Sequence, residues 1–150
     1  MKPKFLFAAG FLLLLMTTLP LFRSRPSSVD WHTDLEAAIA EARSDDKLLL
    51  TFLYTDWCGY CKQMDQVTFT DATVVDELSG DFVWLRLNAE RDAAGISLNR
   101  RFRVSGFPTV LILDTEKNEI NRLQGFMPPD RFRRAAQDSI RGTAAPNASL

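Results

Sequence analysis

Apolar runs of strand length alternate with helical patterns along residues 30–141. The run at 47–54 is apolar on both alternating faces, which is typical of a central strand that is covered on each side. Shorter apolar runs at 82–87 and 110–113 predict two further strands. The more polar segment 119–124 predicts an edge strand, joined to its predecessor by a hairpin turn.

Five segments show the signals of helices. A capping-box pattern at 33–36 opens the first helix, and a second is expected from Cys58 to about Val67. A third begins near 70–71, and a fourth covers 96–102. The last helix carries apolar residues spaced by four across 132–140. This order of elements predicts an α/β fold with a mixed central sheet and helices on both faces.

The N-terminal 26 residues have a different character. Lys2 and Lys4 precede the uncharged, largely apolar run 5–22, which is close to the lower limit for a membrane span. The run is longer than most signal-peptide cores, and no small-x-small cleavage pattern follows it. We therefore expect one N-terminal transmembrane signal-anchor. Cleavage that releases a secreted periplasmic protein is the alternative.

Three parts are predicted: anchor and linker at 1–26, a folded domain at 27–141, and a disordered tail at 142–150. All 19 acidic residues but only 14 of the 18 basic residues follow residue 26, so this portion has a formal net charge of −5. An acidic domain argues against nucleic acid as a partner. We expect a monomer.

The chemistry-bearing stretch is 57–62, which holds the only two cysteines of the chain. Cys58 and Cys61 follow a buried strand and precede a helix, a context typical of redox motifs. At helical spacing their Cβ atoms lie about 5–6 Å apart, and a disulfide needs about 3.5–4.5 Å, so a small adjustment permits closure. The helix N-terminus favours a thiolate at Cys58, which makes Cys58 the attacking thiol and Cys61 the resolving thiol.

An inert disulfide and a metal site are the alternatives to redox chemistry. Structural zinc usually takes four ligands, and the chain offers two cysteines and one distant histidine, His32. Attachment of a c-type haem requires a histidine directly after Cys61, where Lys62 stands. We therefore expect no metal and no bound cofactor, with the Cys58–Cys61 disulfide as the redox group.

Three features together resemble the thioredoxin superfamily over about residues 30–141. They are the motif 57–62 after a buried strand, Gly106-Phe107-Pro108-Thr109 before a strand, and Gly125 before the last helix. The resemblance implies a thioredoxin-like fold in which Pro108 is cis and lies beside the cysteines. It also implies that the backbone of Phe107 pairs with an extended substrate chain, and that Trp57, Gly59 and Tyr60 border the same substrate site.

Within that superfamily, segments 54–58, 68–71 and 125–127 resemble the C-terminal periplasmic domain of DsbD-type thiol:disulfide interchange proteins. That domain receives electrons from a membrane partner and passes them to periplasmic thiol proteins. The multi-span membrane domain of those proteins is not present in this sequence, which has only the predicted single anchor. Together with that anchor, the resemblance implies an inner-membrane oxidoreductase whose periplasmic domain reduces, or relays electrons to, protein disulfides. The pair Gly59-Tyr60 instead resembles periplasmic disulfide isomerases. An isomerase or oxidase, or a non-catalytic binding module, therefore stays open.

One position departs from the family pattern. The family commonly places a buried acid six residues before the attacking cysteine, where it assists proton transfer at the resolving cysteine. Phe52 occupies that position here, and Arg86 stands where thioredoxins often have a lysine near the acid. We expect Asp56, or solvent, to take over the proton transfer.

Overall fold

A five-stranded mixed sheet forms the centre of residues 28–143, the part of the chain that this computed structural model describes. Its strands are β1 (Trp31–His32), β2 (Leu48–Tyr54), β3 (Phe82–Asn88), β4 (Thr109–Leu113) and β5 (Glu119–Gln124). The strand order is β1-β3-β2-β4-β5, with β1 and β2 parallel to β3, and β4 antiparallel to both β2 and β5. The predictions that 47–54 forms a central strand and that 119–124 forms an edge strand are confirmed.

Helices cover both faces of the sheet. They are α1 (Leu35–Asp45), α2 (Gly59–Gln63), α3 (Ala72–Leu78), α4 (Ala93–Arg101) and α5 (Pro129–Thr143). A π-helical segment, Met64–Thr68, continues α2. Buried side chains of α2, α3 and α5 join one core cluster, and those of α1 and α4 join another on the opposite face. The predicted α/β architecture is therefore confirmed.

Alternation along β2 divides its side chains between the two cores. Leu50 and Phe52 belong to the cluster that contains both cysteines, whereas Leu49 and Leu53 belong to the cluster under α1 and α4. All four are fully buried. Complete burial of such a side chain contributes about 1.5–3 kcal/mol relative to exposure, so β2 is held firmly from both sides. This strand leads directly into the cysteine motif.

Aspartates open two of the helices. The Asp34 carboxylate accepts a hydrogen bond from Ala37 N at 2.8 Å, which makes Asp34 the N-cap of α1. The capping-box prediction, with Thr33 as the cap, was thus wrong by one residue, because both residue types suit this position. Asp71 caps α3 by accepting from Thr73 N and Val74 N at 3.0 and 3.1 Å, close to the predicted start.

One strand and several boundaries differ from the sequence predictions; helix α4, for example, begins at Ala93, three residues before the predicted start. Strand β1 was not predicted, since two residues are too few to show a period; the Trp31 ring nonetheless packs edge-on against Phe69 and Trp84, with centroids 5.1 and 5.5 Å apart. Helix α5 continues to Thr143, so the first two residues of the predicted tail are helical. Residues 144–150, the rest of that tail, lie outside the described residues.

No helix within residues 28–143 has the length and hydropathy needed to cross a membrane. The predicted anchor and linker at 1–26 lie outside the described residues. The anchor therefore stays a prediction.

Candidate active site

Cys58 and Cys61 are joined by a disulfide just beyond the carboxyl end of β2, with their Cα atoms 5.3 Å apart. Cys58 is the N-cap of α2: its Sγ accepts a hydrogen bond from Cys61 N at 3.1 Å. The Cys58 N–H donates to the Thr55 carbonyl at 3.2 Å, which fixes the turn before the helix. A sulfur that already accepts from a backbone N–H is suited to carry negative charge, and this supports Cys58 as the attacking thiol. Both cysteines are buried, with 4% of Cys58 and 2% of Cys61 exposed, so Cys58 is only slightly more accessible than Cys61.

The Phe107–Pro108 peptide bond is cis, as the resemblance implies. Leu53 pairs with Thr109 across β2 and β4, which brings Pro108 to the edge of the sheet where Cys58 follows β2. Two hydrogen bonds hold this loop: Thr109 Oγ1 donates to the Gly106 carbonyl at 2.7 Å, and Gly125 N donates to the Pro108 carbonyl at 2.8 Å. Gly125 has a φ of 82°, a conformation that favours glycine, which explains why a glycine precedes the last helix.

The surface beside the disulfide is apolar and accessible. Trp57 and Tyr60 are 68% and 65% exposed, and Gly59 between the cysteines is exposed as well. The Trp57 ring meets the half-buried Phe107 ring edge-on, with centroids 6.2 Å apart. The structure thus brings Trp57 and Phe107 together at the motif. Exposed apolar groups beside a reactive bond are suited to receive a polypeptide.

Asp56 and Trp57 are both bound to the loop that follows β3. The Asp56 carboxylate accepts from Asn88 Nδ2 at 3.0 Å and from Arg91 at 2.6 Å. The Trp57 indole N–H donates to the Glu90 carboxylate, with N–O distances of 3.1 and 3.2 Å. Each oxygen of Asp56 thus accepts one hydrogen bond, and these two bonds hold the carboxylate beside Asn88 and Arg91.

An aromatic cluster takes the place of the missing buried acid. Phe52 is fully buried, packs edge-on against Phe69 at a centroid distance of 4.9 Å, and stacks with Tyr54 at 5.8 Å. The guanidinium of Arg86 lies 4.9 Å from the centre of the Tyr54 ring and 5.5 Å from that of Trp31. Phe52 and Arg86 are register partners on neighbouring strands. The guanidinium of Arg86 therefore lies against the rings of Trp31 and Tyr54, which both pack beside Phe52.

Arg86 also reaches an acid that sequence reasoning missed. Its guanidinium donates to Asp65 Oδ2 at 3.2 Å, and Asp65 lies in the π-helical segment four residues after Cys61. Partial burial raises the pKa of Asp65, although the charge and hydrogen bond of Arg86 act in the opposite direction. An acid with a raised pKa one helical turn from a cysteine is suited to proton transfer. Its sequence signal was the spacing of four, which places side chains on the same helix face.

No three His, Cys, Asp or Glu side chains within residues 28–143 are grouped so that they could hold a metal ion. The single histidine, His32, contacts the Glu41 carboxylate at 2.8 Å on the other core face of the molecule. The two sulfurs are bonded to each other. A disulfide exchanges two electrons when it is reduced to two thiols.

The model of the thioredoxin-like domain family matches residues 35–140. The chain belongs to this family. Among curated proteins, the thiol:disulfide interchange protein DsbD of Pseudoalteromonas atlantica is 35% identical over 110 residues, which are 71% of this chain and 18% of that protein. This thioredoxin-like chain thus spans about a fifth of the length of the curated relatives it matches.

Solved structures agree with this thioredoxin-like assignment. A thioredoxin from Thermus thermophilus is 28% identical, with a TM-score of 0.68 over 78% of this chain and 92% of that one. The oxidised C-terminal domain of Neisseria meningitidis DsbD has a TM-score of 0.61 at 20% identity, over 73% and 99% of the two chains, and shows likeness of fold alone. The predicted thioredoxin-like fold is confirmed. Family membership and the Cys-x-x-Cys disulfide together support thiol–disulfide oxidoreductase chemistry.

Proposed function

We propose that this chain is a thiol:disulfide oxidoreductase that works mainly as a reductant or electron relay for protein disulfides. The observation that carries the proposal is the disulfide itself. Its Cys58 sulfur accepts a backbone hydrogen bond at a helix start, and it lies beside the exposed rings of Trp57 and Tyr60. Exposed apolar side chains beside the disulfide favour the binding of another polypeptide, and they therefore favour an exchange role over a purely structural one.

Reduction of a substrate disulfide takes two exchange steps. The Cys58 thiolate first attacks one substrate sulfur, the substrate S–S bond breaks, and the second substrate sulfur leaves as a thiolate that takes a proton. Deprotonated Cys61 then attacks Cys58 Sγ, releases the first substrate sulfur as a thiolate, and forms the intramolecular disulfide that the structure contains. Two electrons pass from the protein to the substrate. The proposal requires that a separate dithiol donor reduces the protein again.

The substrate chain lies across one surface in this proposal, because the rings of Trp57 and Phe107 are in contact. Phe107 and cis-Pro108 offer their backbone to an extended chain, in the manner of strand addition to a sheet edge. Trp57 and Tyr60 extend the same surface, with Gly59 between the cysteines. A Cβ at Gly59 would have no heavy atom within 4 Å, so this point leaves open space for an incoming chain.

Deprotonation of Cys61 is assigned to Asp65 in preference to Asp56. Partial burial raises the pKa of Asp65 and so makes its carboxylate a better proton acceptor at neutral pH. The Asp56 carboxylate is held by Asn88 and Arg91 in the loop after β3, whereas Asp65 lies on the helical segment that follows Cys61. Solvent is the remaining route.

We further propose that residues 1–26 anchor the protein in the bacterial inner membrane, with residues 27–141 in the periplasm. The apolar run 5–22 and the similarity to proteins named DsbD support this placement. The partners would then be periplasmic protein thiols and disulfides, and a membrane protein would supply the electrons. The proposed form is a monomer that binds no nucleic acid, metal or organic cofactor.

Reduction of insulin disulfides by the full chain, with dithiothreitol as the donor, tests the activity. We expect turnover above the dithiothreitol background, abolished by Cys58→Ser. Cys61→Ser should retain the first step and accumulate a mixed disulfide with insulin. Wild-type protein that turns over no faster than Cys58→Ser would contradict the proposal and favour a non-catalytic binding module.

A further inference from the structure

Trp57 is the most exposed large apolar side chain within residues 28–143, yet its orientation is held by two contacts. Its indole N–H points at both oxygens of the Glu90 carboxylate, at 3.1 and 3.2 Å. Its ring meets Phe107 edge-on, with centroids 6.2 Å apart. A hydrogen bond to a charged acceptor is about twice as strong as one between neutral groups, so the Glu90 contact constrains the ring most.

Glu90 is itself fixed by the loop that carries it. Its backbone N–H donates to Asn88 Oδ1 at 2.9 Å, and Asn88 Nδ2 donates to Asp56 at 3.0 Å. Ala89 N donates to the Tyr54 carbonyl at 2.8 Å. The loop after β3 is therefore attached to the segment that precedes Trp57, through Tyr54 and Asp56, and these bonds fix the backbone of Glu90 beside the indole.

We propose that Glu90 is a positioning residue that holds the Trp57 ring against Phe107, so that the two rings form one continuous wall of the substrate site. This inference rests on the proposed oxidoreductase function. A polypeptide disulfide lies along this wall and gains from the ordered ring, whereas a small disulfide reaches Cys58 without contacting the wall. Glu90 thus favours polypeptide disulfides over small ones, although it takes no part in the exchange of electrons.

Two substitutions separate orientation from charge. Glu90→Gln removes the charge but keeps an oxygen that can accept from the indole, while Glu90→Ala removes both. Glu41→Ala is the matched control, because Glu41 is an exposed acid whose hydrogen bond goes to His32. Each reduced full-length variant is assayed with a synthetic peptide that contains one intramolecular disulfide, and with the small neutral substrate bis(2-hydroxyethyl) disulfide.

We expect Glu90→Ala to raise KM for the peptide by about 2- to 12-fold, the range that ordering one side chain is worth in binding, with kcat within twofold. The ratio of kcat/KM between peptide and small disulfide should fall accordingly, and this ratio cancels any change in the reactivity of Cys58. Glu90→Gln should lie close to wild type, and Glu41→Ala should match wild type. An unchanged ratio in Glu90→Ala would overturn the inference.

The indole N–H signals in a nitrogen–proton correlation spectrum test the contact without any assay of activity. The chain has three tryptophans, so three indole signals are expected. Glu90→Ala should shift the Trp57 signal alone, and Glu41→Ala should shift none. If wild-type protein shows no Cys58-dependent exchange, the proposed function fails; if wild type is active and neither the signal nor the ratio responds to Glu90→Ala, this inference alone fails.

Discussion

Phe52 and Arg86 are direct register partners on the parallel strands β2 and β3, and Arg86 extends from this pair to Asp65 on the helical segment after the cysteines. Phe52 belongs to the same core cluster as Cys58 and Cys61. The acid that the family commonly carries on the strand is thus absent at position 52, and a carboxylate reaches the same region from the helix.

Asp65→Asn should change the pH dependence of stability in a particular direction. Because burial raises the pKa of Asp65 in the folded state, the folded protein binds more protons than the unfolded chain between the ordinary aspartate pKa, about 3.9, and the raised value. The stabilising contribution is fully present below the unfolded pKa and is lost as pH rises through the folded pKa. The stability of wild type relative to Asp65→Asn should therefore increase as pH falls from 7 to about 4.

Urea unfolding of the two oxidised proteins at a series of pH values measures this difference. Parallel stability–pH curves would contradict a raised pKa at Asp65. Arg86→Gln provides a second check. Loss of the guanidinium removes the two effects that lower the pKa of Asp65, so this pKa should rise further.

Asp65→Asn should also slow the resolution of the mixed disulfide at neutral pH. Removal of a general base typically costs about 10²–10⁴-fold, and we expect a loss near the lower end because solvent can also accept the proton. Asp56→Asn should leave this step nearly unchanged, since the Asp56 carboxylate is bound to Asn88 and Arg91. Single-turnover mixing of each reduced variant with a disulfide peptide across pH measures the rate. The opposite ranking of the two variants would assign the proton to Asp56.

Thr51→Val should stabilise the protein. Thr51 is fully buried on β2, and its hydroxyl has no hydrogen-bond partner within residues 28–143. A buried unsatisfied polar group costs about 1–3 kcal/mol, and valine keeps the same shape, so we expect a gain of about 1 kcal/mol in the free energy of unfolding.

Thr109→Val is the matched control for this substitution. Thr109 is equally buried, but its hydroxyl donates to the Gly106 carbonyl at 2.7 Å. Its replacement should cost about 0.5–1.5 kcal/mol. Denaturant unfolding of both variants gives the comparison, and equal signs for the two changes would refute the assignment.

Gly95→Ala should disturb the active site from a distance. Gly95 in α4 packs so closely on the end of β3 that a Cβ there would overlap the backbone carbonyl of Asn88. The clash should cost about 1–3 kcal/mol and displace the residue that binds Asp56 and supports Glu90. Gly80→Ala, where a Cβ would have no heavy atom within 4 Å, should change stability by less than about 0.5 kcal/mol. Thermal unfolding of both variants, with the Trp57 indole signal as a second reading, measures the effect.

The sequence predicted the features that local patterns determine. The apolar run of β2, the Cys58–Cys61 motif and the cis bond before Pro108 follow from periodicity, spacing and family resemblance, and all three are present. The two-residue strand β1 left no periodic signal.

Contacts between distant segments were beyond sequence reasoning. Trp57 and Glu90 are separated by 33 positions, and Arg86 and Asp65 by 21, so no spacing rule connects them. Asp65 lies in the π-helical segment that follows α2, and there its carboxylate accepts a hydrogen bond from Arg86. A propensity pattern records a helix there but not its hydrogen-bond register.

The equilibrium reduction potential of the Cys58–Cys61 pair tests the reductant proposal most directly. The oxidised and reduced forms of the full chain are equilibrated with glutathione buffers of known ratio, trapped by acid and alkylation, and quantified. We predict a potential between about −270 and −200 mV, the range of thioredoxin and the glutaredoxins. A potential near about −120 mV, that of a strong oxidant, would contradict it.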